Sequence, residues 1–287
     1  AFREKRNIAT MVPSWDPNSC IQCGSCVMVC PHATVRAFLL TEDEIKKSPA
    51  ELETIEPSNA FAKAKADGLK YRIQVSPMNC VGCGLCATEC KGVDKETGKK
   101  ALEMVPNTEE AAQAEEVKAD YLYKNVEYKT NYFSTDMPMG MQFVMPYFEV
   151  SGSCPGCGET PYYRLASQLF GKDMMIANAT GCSMIYCSAV PSTPFVIDKD
   201  GEGPTWANSL FEDNAEFGFG MRLAVDANRD TLKTYVEKIL AKEEAPQDLK
   251  DALNNAMAHW DNSKTDEAIK PQEEAKIAIN KHVKECG

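Results

Sequence analysis

A chain of 287 residues provides for roughly two domains of about 150 residues each. Hydrophobic residues make up 44% of it, enough to build a packed core, which excludes wholesale disorder. The 31 Lys and Arg against 42 Asp and Glu leave a formal charge of −11, the wrong sign for binding nucleic acid or an anionic membrane surface.

No run of about 18 apolar residues is present, so no membrane-spanning helix is expected. Ala1-Phe2-Arg3-Glu4-Lys5-Arg6 carries charge with no apolar stretch behind it. That is not a secretory signal, and a cytoplasmic location is expected. The chain does not begin with Met, which suggests processing or excision from a longer polypeptide.

Residues 1–18 read as an extended connector, with Pro13 and Pro17 restricting the backbone around Trp15. Residues 19–106 form a first domain, a tandem repeat whose halves are separated by an insert at 31–79. Within the insert, Val35 to Leu40 reads as a strand. Thr41 and Glu44 have the spacing of a helix-opening capping box. Lys63 to Leu69 reads as a solvated turn and helix end, and Tyr71 to Val75 as a returning strand.

Residues 107–146 read as a bridge. Glu109, Glu110, Glu115 and Glu116 mark the solvated face of an Ala/Glu-rich helix. Met137, Met139, Met141 and Met145 are assigned to packing between domains. The second domain covers 147–287. Thr160 followed by Pro161 opens a helix, with Thr as the cap, and Gly171 closes it. Met174 to Ala179 is an apolar run of the kind buried in a parallel sheet, and it stops at Thr180-Gly181-Cys182. Pro191 to Pro204 is a long Pro/Gly-punctuated loop. A helix capped by Asp213 or Asn214 runs to Leu240, and amphipathic helices follow over 249–260 and 272–284.

The 13 cysteines are arranged for metal clusters rather than for disulfides. Cys20-x2-Cys23-x2-Cys26-x3-Cys30 is repeated as Cys80-x2-Cys83-x2-Cys86-x3-Cys90. A cubane presents its irons at the corners of a tetrahedron, and one tight turn wraps only three of them. The fourth thiolate comes from the other array. Cys20, Cys23, Cys26 and Cys90 are therefore expected to hold one [4Fe–4S] cluster, and Cys80, Cys83, Cys86 and Cys30 the other. Small residues at Gly24, Ser25, Gly82 and Gly84 let backbone N–H groups approach the sulfides. Zinc would use paired C-x2-C knuckles and leave the third and fourth cysteines superfluous. Pro31 fits the ferredoxin run, whereas Lys91 after Cys90 departs from it.

A third group is different. Cys154-Pro155-Gly156-Cys157 alone is a zinc knuckle as readily as half of a cluster site. Cys182, at the end of an expected strand, tips the reading toward a third iron–sulfur cluster, because ligands of open α/β sheets bind at such strand ends. Cys187 and Cys286 read as ordinary thiols. His32, His259 and His282 read as surface or packing residues, and Trp206 as core in a helix.

The succession of a two-cluster module, Cys154-Pro-Gly-Cys-Gly-Glu159, Ala179-Thr-Gly-Cys-Ser183 and the run from Trp206 to Asn214 resembles the pyruvate:ferredoxin oxidoreductase family, most closely its single-chain bacterial members. The resemblance covers nearly the whole chain. It implies an α+β ferredoxin-like domain followed by an incomplete α/β domain that binds thiamine diphosphate. It implies oxidative decarboxylation of pyruvate with coenzyme A to acetyl-CoA and CO2. Electrons would pass singly through three [4Fe–4S] clusters to ferredoxin or flavodoxin. Cys154, Cys157 and Cys182 are implied as ligands of the cluster nearest the thiamine, Glu159 as a cofactor contact, and Thr180, Gly181 and Cys182 as lining of the crevice. The remainder of the same enzyme and a homo-oligomer are implied as partners. The chain contains no G-D-G motif, and Gly201-Glu202-Gly203 is a poor substitute, so the Mg2+ ligands and the fourth ligand of the third cluster are expected elsewhere. Two alternatives remain: a non-catalytic electron-transfer subunit with zinc in the third group, or the same chemistry on 2-oxoglutarate or an aryl pyruvate.

Overall fold

The computed structural model describes residues 4–188, 192–260 and 266–286. The chain divides into two compact units, 1–214 and 215–287. The break falls inside the region that the sequence reading gave to a single second domain.

Two antiparallel ribbons frame the first half of unit one. Strand β1 (Met11–Trp15) pairs with β4 (Leu102–Pro106), with Pro13 opposite Met104 and Trp15 opposite Leu102. The expected connector thus contains a strand. Pro13 is tolerated because a two-stranded ribbon leaves each strand one edge that needs no donor. Strand β2 (Val35–Leu40) pairs with β3 (Lys70–Val75) as the sequence suggests. All six residues of β2 are buried, Arg36 among them, and the other five are apolar.

Helix α1 (Ser25–Val29) follows the first cysteine turn and α4 (Leu85–Thr88) the second. Between them lie α2 (Glu42–Lys46) and α3 (Ala62–Ala66). The capping box of α2 forms as read: Glu44 N–H donates to Thr41 Oγ1, and the Glu44 carboxylate accepts from Thr41 N–H. The segment from Lys63 to Leu69 is less solvated than expected, because Ala64 and Leu69 are buried in the core. That core gathers Val27, Val35, Leu39, Phe61, Tyr71, Ile73 and Phe143 around Cys26, Cys30 and Cys86.

Helix α5 (Glu109–Asn125) is capped by Thr108, whose hydroxyl accepts from Ala111 N–H. Its acidic residues do not all face water. Glu116 is buried and accepts from Ser76 Oγ and Met78 N–H, which ties α5 to the segment just before Cys80. Lys5 completes that site as an ion pair. The methionine run forms α6 (Pro138–Met141), where Met141 is buried and Met139 packs against the cysteine-bearing core.

Helix α7 (Thr160–Phe170) has Pro161 in its first turn and Gly171 at its end. The start lies one residue earlier than read: Glu159 holds the cap position, and the Thr160 hydroxyl is buried without a partner. Strand β5 (Met175–Asn178) runs parallel to β6 (Thr205–Asn208), and α8 (Cys182–Cys187) lies between them in sequence. Trp206 is therefore on a strand rather than a helix, and its indole N–H donates to Asn178 Oδ1. Strand β5 is more exposed than a central strand, with Met175 51% exposed. Of the long loop, Pro191 lies outside the described residues. Its next turn pairs with the start of the region, Glu149 N–H donating to Pro194 O and Val196 N–H to Tyr147 O.

Unit two consists of α9 (Asn214–Leu240), α10 (Gln247–Ala258) and α11 (Asp266–Cys286). The stripe of Leu249, Leu253 and Ala256 meets Val236 and Ala275, as the amphipathic pattern requires. Asp248 accepts hydrogen bonds from Lys281 and His282, which together hold its carboxyl down at about 2. A carboxylate depressed in the folded state contributes stability above its usual value, lost only as pH falls through the lowered one. An NMR titration of Asp248 is expected to place its midpoint near 2, with the α10–α11 tie intact at pH 4. No helix among the described residues is long and apolar enough to cross a membrane.

Candidate metal centres

Eight thiols line two separate cavities in crossed sets. Cys20, Cys23, Cys26 and Cys90 line one, with Trp15, Tyr71, Ile73 and Leu102 in its wall. Cys30, Cys80, Cys83 and Cys86 line the other, with Pro13, Val35 and Met104. Each array thus gives three thiols to one cavity and its last thiol to the other. Helix α1 makes this possible, because it places Cys26 and Cys30 about 6 Å apart along its axis at 1.5 Å per residue, enough to straddle two sites. The β1–β4 ribbon serves both. Residues two apart share a face, so the Pro13–Met104 pair borders one cavity and the Trp15–Leu102 pair the other.

The two turns repeat each other in backbone as well as in sequence. Gly24 and Gly84 have φ of 74° and 75°, and Gln22 and Gly82 have φ of 60° and 69°. These left-handed residues turn successive N–H groups inward, as an anion-binding nest requires. Gly82 N–H donates to Cys80 Sγ at 3.4 Å. Gln22 was not identified from sequence as a site residue, although aligning the two arrays sets it opposite Gly82. Its strained backbone is held by its buried side chain, which donates to Glu56 O and accepts from Ser58 N–H, both at 2.7 Å. Gly82 has less latitude, since a Cβ there would sit 3.0 Å from Met11 O. Gly82→Ala is expected to cost about 1–2 kcal/mol from the left-handed backbone alone. Denaturant unfolding of the loaded protein checks this, and an unchanged midpoint would contradict it.

Burial pushes Cys80 up to about 12 and raises Cys20, Cys26 and Cys86, and nearby thiolates of the array raise them further. Four soft sulfurs in an apolar cavity lose their protons only to a cation that replaces them. Among the described residues, no three His, Cys, Asp or Glu side chains are grouped to hold a single metal ion. The donor sets of the two cavities fit a cubane, whose ligands each bind a different iron, and not one shared ion.

The third group lies against the second cavity. The 154–157 turn is closed by Cys157 N–H donating to Cys154 O, with Gly156 at φ 75°. A Cβ on Gly156 would stand 3.9 Å from Cys83 Cβ. Next to it, the buried His32 contacts Ser153 through Nε2, and Val150 N–H donates to His32 O. His32 is thus a packing residue at this junction. Cys182 opens α8 just beyond β5, and the same short helix meets the other side of the turn through Gly152 N–H to Tyr186 O and Tyr186 Oη to Glu159. Cys154 and Cys182 are exposed. Cys187 is buried against Phe148 and Tyr186, and burial raises its thiol to about 12, as an unreactive thiol requires. The Cys286 side chain lies outside the described residues.

Glu159, Thr180 and Gly181 are exposed. The Glu159 carboxylate is engaged by Tyr186, and Thr180 Oγ1 donates to Ser209 O. Thr180 to Cys182 do stand where a parallel strand ends, as read from the sequence. A diphosphate held through Mg2+ needs a cluster of oxygen ligands, and no such acidic group is assembled among the described residues. These four residues alone do not make a thiamine diphosphate site.

Comparison with known proteins gives these centres a context. Residues 19–92 match the family model of the 4Fe-4S dicluster domain. The chain is 48% identical over 243 residues to the pyruvate:ferredoxin oxidoreductase of Moorella thermoacetica, covering 85% of this chain and 20% of that one. It is 44% identical over 263 residues to the pyruvate-flavodoxin oxidoreductase of Enterobacter agglomerans, covering 90% of this chain and 21% of that one. It is 40% identical over 253 residues to a probable pyruvate-flavodoxin oxidoreductase of Escherichia coli, covering 88% and 21%. The chain spans about a fifth of the length of these curated relatives. With its dicluster domain and this identity over most of its length, the chain belongs to the pyruvate:ferredoxin/flavodoxin oxidoreductase family.

Proposed function

We propose that this chain is the electron relay of a pyruvate:ferredoxin or pyruvate:flavodoxin oxidoreductase, passing electrons singly through three [4Fe–4S] clusters. The crossed lining of two cavities by four thiols each carries the reading. Cys20, Cys23, Cys26 and Cys90 hold one cubane and Cys80, Cys83, Cys86 and Cys30 the second. Cys154, Cys157 and Cys182 supply three ligands of the third, whose fourth ligand lies elsewhere in the enzyme.

The approach of Gly156 to Cys83 supports an order for the relay. Electrons leave the third cluster for the Cys30 set, pass to the Cys20 set, and exit to ferredoxin or flavodoxin. In this reading residues 147–287 belong to the domain that binds thiamine diphosphate with Mg2+. That cofactor would supply the decarboxylation of pyruvate before transfer of the acetyl group to coenzyme A. Glu159, Thr180, Gly181 and Cys182 face its crevice once the rest of the domain is in place. One-electron centres suit the reaction, since pyruvate gives up two electrons while ferredoxin accepts one. A cytoplasmic homo-oligomer belongs to the same proposal.

Metal analysis of the complete enzyme tests it. About twelve irons per chain, with matching labile sulfide, are expected. About eight irons with one zinc would assign the 154–157 turn to a zinc knuckle and end the three-cluster reading.

A further inference from the structure

Unit one buries three arginines, and two of them have counter-ions. Arg36 is ion-paired with Glu149, and Arg72 lies 3.5 Å from Glu115. Arg164, on α7, is the most deeply buried, at 1% exposure, and has no carboxylate partner among the described residues. Its guanidinium crosses to the other half of the unit and donates to the backbone carbonyls of Val27 and Met28 at the end of α1. Its Nε–H is buried without any partner. Those two carbonyls lie between Cys26 and Cys30 in the chain, at the end of α1 that leads directly into Cys30, and a Cys30 thiolate favours the charged form of Arg164. Burial lowers the arginine only to about 10, so it keeps its charge at neutral pH.

An unpaired cation in an apolar interior costs several kcal/mol unless an anion offsets it. A cubane held by four thiolates is that anion, and it becomes more negative on reduction. We infer that Arg164 is the fixed counter-charge of the cluster bound by Cys30, Cys80, Cys83 and Cys86, raising its reduction potential above that of an otherwise equivalent site. The inference rests on the cluster assignment proposed above. It adds a means by which α7, far from both cysteine arrays in sequence, sets the driving force of a relay step. Charge near a cluster is one of the recognised levers on its potential.

The test is an EPR-monitored redox titration of the complete, cluster-loaded enzyme. The two ferredoxin-type waves are assigned by which one disappears in Cys90→Ser and in Cys30→Ser. In Arg164→Met and in Arg164→Gln, the wave of the Cys30 set is expected to move to lower potential. At a fixed potential its reduced-to-oxidised ratio should fall at least tenfold, or 59 mV for one electron. Arg164→Lys, which keeps the charge, should stay within threefold of the parent. Arg164→Gln keeps an N–H donor for the carbonyls and serves if the methionine variant does not assemble. Unmoved waves in a neutral variant with full iron content would overturn the inference. So would equal shifts in the lysine and neutral variants, which would assign Arg164 to helix capping alone. Absence of cubane signals in the parent would instead sink the cluster reading itself.

Discussion

Cys90→Ser is expected to remove the cluster of the opposite array while its own array remains loaded. Cys90 follows α4 and the second cysteine turn, yet it lines the cavity of Cys20, Cys23 and Cys26. Cys30→Ser should do the reverse, emptying the cavity of Cys80, Cys83 and Cys86. Serine replaces a soft sulfur with a hard oxygen donor at a site built for thiolate. Each variant should lose about four irons per chain and one of the two ferredoxin-type cubane signals. The functional losses should differ. In the proposed relay, loss of the Cys20-set cluster leaves the Cys30 set able to receive electrons but removes the exit to an external acceptor, so reduction by pyruvate should persist while turnover with ferredoxin stops. Without the Cys30-set cluster, the relay is cut nearer its source and neither should occur at a normal rate. If Cys90→Ser emptied the site of its own array instead, the crossed assignment would be wrong.

Glu149→Ala should be the most destabilising substitution away from the cysteines. Glu149 pairs with Arg36 in a site from which both side chains are almost wholly excluded from water. Arg36 also donates to Ala33 O and to Tyr128 Oη, and it stacks over Tyr123 at 4.2 Å. Removing the carboxylate strands a fully buried guanidinium, which costs about 3–5 kcal/mol. Against a total stability of about 5–15 kcal/mol, that removes a large fraction of the folding margin. Replacing both partners with apolar residues, as in Arg36→Met with Glu149→Leu, removes the stranded charge and should recover most of the loss. Thermal melts of the three proteins decide this. A double variant no more stable than Glu149→Ala would show that the polar contacts of Arg36, and not its burial, dominate.

Local signals in the sequence were read correctly where the cause is local. The capping box at Thr41 and Glu44, the strand from Val35 to Leu40 and the Ala/Glu helix each depend on residues within one or two turns. Cysteine spacing marks a dicluster domain as plainly, because the reach of one turn around a cubane dictates it. What escaped was set by distant partners. Strand β1, five residues interrupted by Pro13, does not announce itself without β4. Glu116 looks like its exposed neighbours until Ser76 and Met78 arrive from elsewhere in the chain. Arg164 binds backbone carbonyls, which leave no trace in the identity of the residues that own them.

The shared ribbon has a consequence for how this module tolerates length changes. Because Pro13 and Trp15 serve two different centres from a single side of β1, inserting one residue ahead of them would turn both outward together. The two centres are thus linked as targets of insertion or deletion, even though they share no ligand. Extra residues should be tolerated in the exposed turns between β2 and β3, while β1 itself keeps its length.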